Sequence, residues 1–135
     1  MFYFAYGSNL NHFQMNRRCK DSNFIKKINL KNFKLTFRSK YRAADIERKR
    51  NSLVPGGLFE ISKSDEKKLD VYEDYPVLYK KFYFFYYGKK VMTYTMVQKT
   101  PFKFPTERYL NIVKKGYKNC DLDKKYLMKA LKNNS

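Results

Sequence analysis

The chain is predicted to fold as an α+β domain. Apolar and polar residues alternate at Phe33, Leu35 and Phe37, and two further strand-sized runs follow at Phe82–Tyr87 and Val91–Val97. Helix-like segments flank these strands, opening at Ser64-Asp65-Glu66 and at Thr106. The 135 residues, 19% of them aromatic, supply enough apolar area for one core, so a single domain over residues 1–135 is expected.

Each element has a local reason. Phe2-Tyr3-Phe4-Ala5 is a short apolar run and reads as a buried strand. Gly7-Ser8-Asn9 behind it marks a sharp turn, with Gly7 expected to need a backbone conformation or a close approach closed to a β-branched residue. Asn11 to Arg18 reads as a short helix with Leu10, Phe13 and Met15 towards the inside. Phe24, Ile25 and Ile28 continue into the alternating strand that ends near Phe37. Arg38 to Ser52 is the most polar stretch and is expected to be a long exposed loop or ragged hairpin, with Ala43-Ala44 closely packed inside it. Leu53 to Ile61 returns to strand, and Gly56-Gly57 marks a bulge or a close backbone approach. Ser64 is the expected cap of a helix that carries Leu69 and Tyr72 and stops before Pro76. Gly88-Lys89-Lys90 is the expected loop of the next hairpin. Thr106 caps a helix with Tyr109, Ile112 and Val113 on one face, expected to end at Gly116. A last helix spans Asp121 to Leu131, and Lys132 to Ser135 should fray.

Composition narrows the functional classes. Thirty basic residues against twelve acidic give a net charge of +18, which attracts polyanions. Arg38, Lys40, Arg42, Arg48, Lys49 and Arg50 concentrate part of it, so nucleic-acid or polyanion binding stands as a secondary class of function. Basic residues also occur in every other segment, and no known nucleic-acid-binding motif is present. Cys19 and Cys120 have no metal-ligand spacing and are expected as reduced thiols. No basic region precedes the first apolar run, as a signal peptide would need, and no apolar stretch approaches a membrane span. A soluble cytoplasmic protein, with no metal and no cofactor, is the expectation.

Two short pieces carry chemistry. Tyr6-Gly7-Ser8-Asn9 ends a buried strand in a turn whose successive N–H groups can converge on a carboxylate or an oxyanion. Leu69-Asp70-Val71-Tyr72-Glu73-Asp74-Tyr75-Pro76 offers Glu73 among tyrosines, the setting that makes a carboxylate a useful base. Asp70 and Asp74 are its nearest rivals, the first a helix-surface acid and the second solvated at the helix end. His12, the only histidine, reads as a surface residue.

In this order the pieces resemble the gamma-glutamylcyclotransferase family. The resemblance runs from Tyr3-Phe4-Ala5-Tyr6-Gly7-Ser8-Asn9-Leu10 through Val54-Pro55-Gly56-Gly57-Leu58-Phe59-Glu60-Ile61. It continues with Leu69 to Glu73 and Tyr79, and closes with Pro105-Thr106-Glu107-Arg108-Tyr109-Leu110 and Gly116. It implies a small, closed or nearly closed mixed β-barrel flanked by helices. Glu73 is then the catalytic base, the loop Tyr6, Gly7, Ser8, Asn9 and Leu10 cradles the glutamyl moiety, and Tyr79 and Tyr109 line the pocket. The implied reaction releases 5-oxoproline from a gamma-glutamyl amino acid or amine, with a gamma-glutamylamine of isopeptide type as the near alternative. Asp45 stands where relatives usually carry Asn, which bears on ligand preference if that position touches substrate.

Overall fold

The structure, a computed structural model, describes residues 1–132. Five strands form one mixed sheet in the order β2-β3-β1-β5-β4. The short β1 (Phe2–Ala5) is central, antiparallel to β3 (Ala43–Glu60) and parallel to β5 (Lys89–Met96). On one flank β2 (Asn23–Arg38) pairs with β3, and on the other β4 (Tyr79–Tyr86) pairs with β5, both antiparallel. Helices α1 (His12–Arg18), α2 (Lys63–Tyr72), α3 (Glu107–Asn119) and α4 (Lys124–Lys132) lie outside the sheet order, giving the α+β class.

Towards the barrel that the motifs imply, the sheet curls without closing by backbone pairing. Its two edge strands meet instead through side chains. Phe33 of β2 and Phe82 of β4 stand 5.4 Å apart, and the Arg48 guanidinium lies 5.0 Å from the Phe33 ring and 6.0 Å from that of Phe82. Aromatic pairs of this kind stabilise by about 0.5–1.5 kcal/mol beyond the area they bury.

Of the two readings of the polar stretch after Arg38, the structure shows the hairpin and not the long loop. β2 and β3 make one long hairpin in which only residues 39–42 turn, and register shifts lie between Phe24 and Lys26 and between Lys31 and Phe33. What makes this possible is a buried ion cluster. Asp45 is fully buried; its carboxylate accepts from the Met96 N–H at 2.9 Å and from Lys99 Nζ at 3.0 Å, with Arg38 Nε 3.3 Å away. Arg38 also pairs with Glu47. Of the charges in this stretch, Arg38 and Asp45 are turned inward and matched, with Glu47 half-buried beside them, while Lys40, Arg42, Arg48, Lys49 and Arg50 stay exposed.

Other boundaries shift for identifiable reasons. Ser62, not Ser64, caps α2, in a reciprocal box with the buried Asp65: the Asp65 N–H donates to Ser62 Oγ and the Ser62 N–H to Asp65 Oδ2. The β4–β5 turn is Tyr87-Gly88, with φ of 47° and 77°, so the pairing already includes Lys89 and Lys90. Gly116 does not end its helix. It sits inside α3, where a Cβ would stand 2.6 Å from the Asn11 nitrogen and from Leu10 Cβ, so its role is to let α3 press on the turn after β1. Gly56 is likewise a close approach, 2.4 Å from the Ala5 carbonyl oxygen to an added Cβ, as the sequence suggested. Phe13 faces solvent while Leu10 and Met15 are buried. The final helix starts at Lys124, with Asp123 Oδ1 accepting from the Lys125 N–H, and runs to Lys132. The rest of the tail expected to fray, residues 133–135, lies outside the described residues. No helix among the described residues is long and apolar enough to cross a membrane.

Candidate active site

A cavity of about 470 Å³ opens where β1 ends and α2 ends. Two sequence signals meet in it. β1 delivers Tyr6-Gly7 and a single 3-10 turn over Ser8–Leu10, and the last turn of α2 delivers Glu73, whose N–H still donates to the Leu69 carbonyl. In the 3-10 turn the N–H groups of Leu10 and Asn11 are taken by the Gly7 and Ser8 carbonyls, whereas those of Ser8 and Asn9 precede any such partner. Among the described residues these two N–H groups have no partner outside the turn, which leaves them able to meet a carboxylate or a developing oxyanion.

Gly7 is needed here by proximity rather than by a left-handed backbone. Its φ is −123°, and an added Cβ would lie 3.1 Å from Ala44 Cβ and 3.2 Å from the Tyr109 hydroxyl. Ala44 is small for the same reason, and its peptide is pinned on both sides. The Ala44 N–H donates to Tyr109 Oη at 3.0 Å, and Tyr79 Oη donates to the Ala44 carbonyl at 2.7 Å. Tyr79 and Tyr109 thus line the cavity with rings anchored on the Ala44 peptide, the Tyr79 hydroxyl as donor and the Tyr109 hydroxyl as acceptor. Tyr6 is similar: it is buried, and its hydroxyl donates to the Tyr94 carbonyl at 2.7 Å.

Glu73 is different. Its carboxyl makes no hydrogen bond or ion pair among the described residues, although the side chain lines the cavity and is half-buried. Desolvation pushes the carboxyl up to about 8, and Arg18 alone pulls the other way. Burial first, then the charge of Glu73, raises Tyr3 and Tyr79 well above the ordinary tyrosine range, so these walls stay neutral. Its rivals fall away. Asp70 is engaged on both oxygens, accepting from Tyr94 Oη at 2.7 Å and from Lys81 Nζ at 3.1 Å. Asp74 is exposed at the rim, as the sequence suggested.

Some expectations do not hold. Leu10 is fully buried beneath Gly116 and does not line the cavity, so it supports the loop from behind. Asp45 is sealed in its ion cluster and does not line the cavity either, which removes it as a determinant of ligand preference. Tyr75 stands aside with Lys81 above its ring at 4.4 Å; the aromatics at the cavity with Glu73 are Tyr3, Tyr6, Tyr72, Tyr79, Tyr94 and Tyr109, with Tyr41 at the mouth. His12 is half-buried rather than free on the surface. Its ring packs between Phe24 and Phe59 and lies 3.5 Å from Cys120 Sγ, and burial lowers its proton affinity. Both cysteines are free and buried, with thiols pushed up to about 12 by desolvation first, which makes them poor nucleophiles. No cluster of metal-binding side chains occurs among the described residues.

One residue escaped the sequence reading. Arg18, the last residue of α1, donates to Asn9 Oδ1 and to Ser8 Oγ, and its guanidinium lies 3.5 Å from the centre of the Tyr72 ring. Tyr72 in turn shares a 3.1 Å hydrogen bond with Ser8 Oγ, and Asn9 Nδ2 donates to Tyr3 Oη. A basic residue at a helix C-terminus satisfies the helix dipole wherever it occurs, so nothing in the pattern singled this one out.

The fold recurs in known proteins. A solved structure titled gamma-glutamyl cyclotransferase superposes with a TM-score of 0.80 at 27% identity, over 98% of this chain and 86% of the other. An uncharacterized protein from Homo sapiens does so at 0.79 and 28% identity, over the same shares. YkqA from Bacillus subtilis, 20% identical, superposes at 0.80 over 98% of this chain and 54% of its own length, which speaks to the fold alone. No curated protein matches the chain in sequence. The family model for gamma-glutamyl cyclotransferase, AIG2-like, matches residues 3–117, and the chain belongs to that family.

Proposed function

We propose that the protein is a gamma-glutamyl cyclotransferase in which Glu73 moves the proton. In the substrate, the α-nitrogen attacks the γ-carbonyl carbon. A C–N bond forms within a five-membered ring, the original amide C–N bond breaks, and 5-oxoproline and a free amine leave. The α-ammonium must first lose a proton, and the leaving nitrogen must gain one. The ionised carboxylate of Glu73 accepts the first and, as the acid, returns it to the second. The observation that carries this reading is the Glu73 carboxyl, unpartnered in the cavity and raised to about 8. An α-ammonium has a pKa of about 8, so the transfer is nearly balanced, whereas an ordinary glutamate near 4.3 would be a poor base. The Ser8 and Asn9 N–H groups suit the α-carboxylate or the oxyanion, and the enclosed geometry supplies the orientation that ring closure needs.

The leaving half favours an amine without a carboxylate. Among the described residues no Lys or Arg side chain lines the cavity, despite the net charge of +18. Arg18 behind it is already engaged by Ser8, Asn9 and the Tyr72 ring, so a leaving amino acid would find no uncommitted cation there. Purified protein incubated with a panel of gamma-glutamyl dipeptides and gamma-glutamylamines is expected to release 5-oxoproline, fastest from the amines. Absence of 5-oxoproline across the whole panel would defeat the reading, and faster release from dipeptides would reverse the substrate order.

A further inference from the structure

A second cavity, of about 660 Å³, lies between α4 and the part of the β2–β3 hairpin where Asn32 and Asn51 sit. Its lining includes Lys31, Lys34, Lys49, Lys129 and Lys132 and, among the described residues, no Asp or Glu. Lys34 reaches Glu47 at 3.6 Å; the other four make no ion pair among the described residues. Apart from Lys34 these lysines are exposed, while Leu35 and Ala130 are buried and Tyr126 and Leu53 are half-buried. Ammonium groups gathered around one depression repel each other, and a multiply charged anion removes that repulsion. The apolar and aromatic part of the lining narrows the anion. A phosphodiester strand sets phosphates against lysines and turns its bases towards an aromatic surface, whereas a flat anionic membrane cannot enter a concavity.

We propose that this groove binds single-stranded nucleic acid, with the lysines on the phosphates and Tyr126 as the stacking surface for a base. It lies apart from the Glu73 cavity and shares no lining residue with it. The location also differs from the basic run that sequence singled out. Arg38 is buried and Arg48 covers Phe33 and Phe82, so of that run only Lys49 reaches the groove.

The test compares two charge-matched triple variants of the full chain by fluorescence anisotropy, with an oligouridylate of about 12 nucleotides. K31Q/K49Q/K129Q removes three groove lysines. K63Q/K67Q/K80Q removes three exposed lysines of α2 and β4 that form no ion pair among the described residues. The logarithm of affinity against the logarithm of salt should have a slope of about −0.7 per phosphate neutralised, so the groove variant should flatten it by about 2 and weaken binding at least about tenfold near 0.1 M salt. The control should keep the slope and stay within about threefold. Tyr126→Leu, which keeps apolar volume, should weaken binding about tenfold with the slope unchanged. Equal losses in the two triples would mean that the net charge binds diffusely, and the groove assignment would fall. Tighter binding to anionic vesicles or to heparin than to the oligonucleotide would overturn the choice of ligand. Neither readout depends on turnover.

Discussion

Asp45 and Glu73 are both drawn away from bulk water in this small fold, and the protein treats them in opposite ways. Asp45 is surrounded: a backbone N–H, Lys99 and Arg38 converge on its two oxygens. Its charge is matched, and it holds the mouth of the β2–β3 hairpin to β5 and to the chain after it. Glu73 has no hydrogen-bond partner among the described residues, opens into a cavity, and is held up to about 8 by desolvation. One carboxylate is spent on structure. The other keeps an unsatisfied proton affinity that a substrate can use, and that contrast identifies the reactive group better than acidity or motif position does.

Replacing each carboxylate should break different things. Glu73→Gln should fold and lose two or more orders of magnitude in turnover, because the amide cannot shuttle a proton. The proton linkage gives a second readout. Glu73 binds its proton more tightly in the folded chain than in the unfolded one, so its contribution to stability is complete below the unfolded value of roughly 4.3 and is lost as pH rises through about 8. The glutamine variant should therefore gain stability relative to wild type across that window. Denaturation at pH 5 and at pH 9 would show it; an equal difference at both would mean that Glu73 is not desolvated. For Asp45→Asn the expectation is reversed. Two cations lose their matched charge, at a cost of about 3–5 kcal/mol in chemical denaturation, while turnover by the molecules that remain folded stays within a few-fold. A large drop in turnover with stability unchanged would place Asp45 in the catalytic machinery and end the contrast.

The two carboxylates also differ in how legible they were. Glu73 could be read because the element that carries it is local, a helix that stops before Pro76 with Tyr72 beside it, although the walls from Tyr3, Tyr6, Tyr94 and Tyr109 come from distant segments. The Gly7 turn follows from β1 in the same way. Asp45 was misread because its partners are distant. Lys99 and the Met96 N–H belong to the chain around β5, more than fifty positions away, and Arg38 sits across the hairpin from it. A row of charges is indistinguishable from a solvated loop until the partners are known, which is also how a strand pair from Asn23 to Glu60 came to look like two strands and a gap. Gly116 failed similarly: a glycine near a helix end suggests a stop, and only the approach of Leu10 and Asn11 reveals a packing role.

A smaller effect is expected on the loop side. In Gly7→Val the new side chain must displace Ala44 or Tyr109, which forces a shift costing about 1–3 kcal/mol. Because Tyr109 also receives the Ala44 N–H, the Ser8 and Asn9 donors should lose their alignment with the cavity, and KM should rise with kcat falling. Kinetic constants matching wild type would reduce the loop to a turn.

The finest test concerns Arg18, which joins the two halves of the site. It holds Ser8 and Asn9 on one side, covers Tyr72 on the other, and is the one group that lowers the Glu73 proton affinity. These roles separate by substitution. Arg18→Gln removes the charge, so the rising limb of kcat/KM, expected near pH 8 in wild type, should move to higher pH. Arg18→Lys keeps the charge on a point donor that cannot lie flat on Tyr72 while reaching both Ser8 and Asn9. Its limb should stay near the wild-type position while KM rises, because only the loop has loosened. Titration of the Glu73 carboxyl by NMR in the same variants, without substrate, reports the electrostatic part even if the chosen substrate is poor. If both variants moved the limb equally, the effect of Arg18 would come through loop position. If neither moved it, desolvation alone would set Glu73, and Arg18 would serve only to brace the turn.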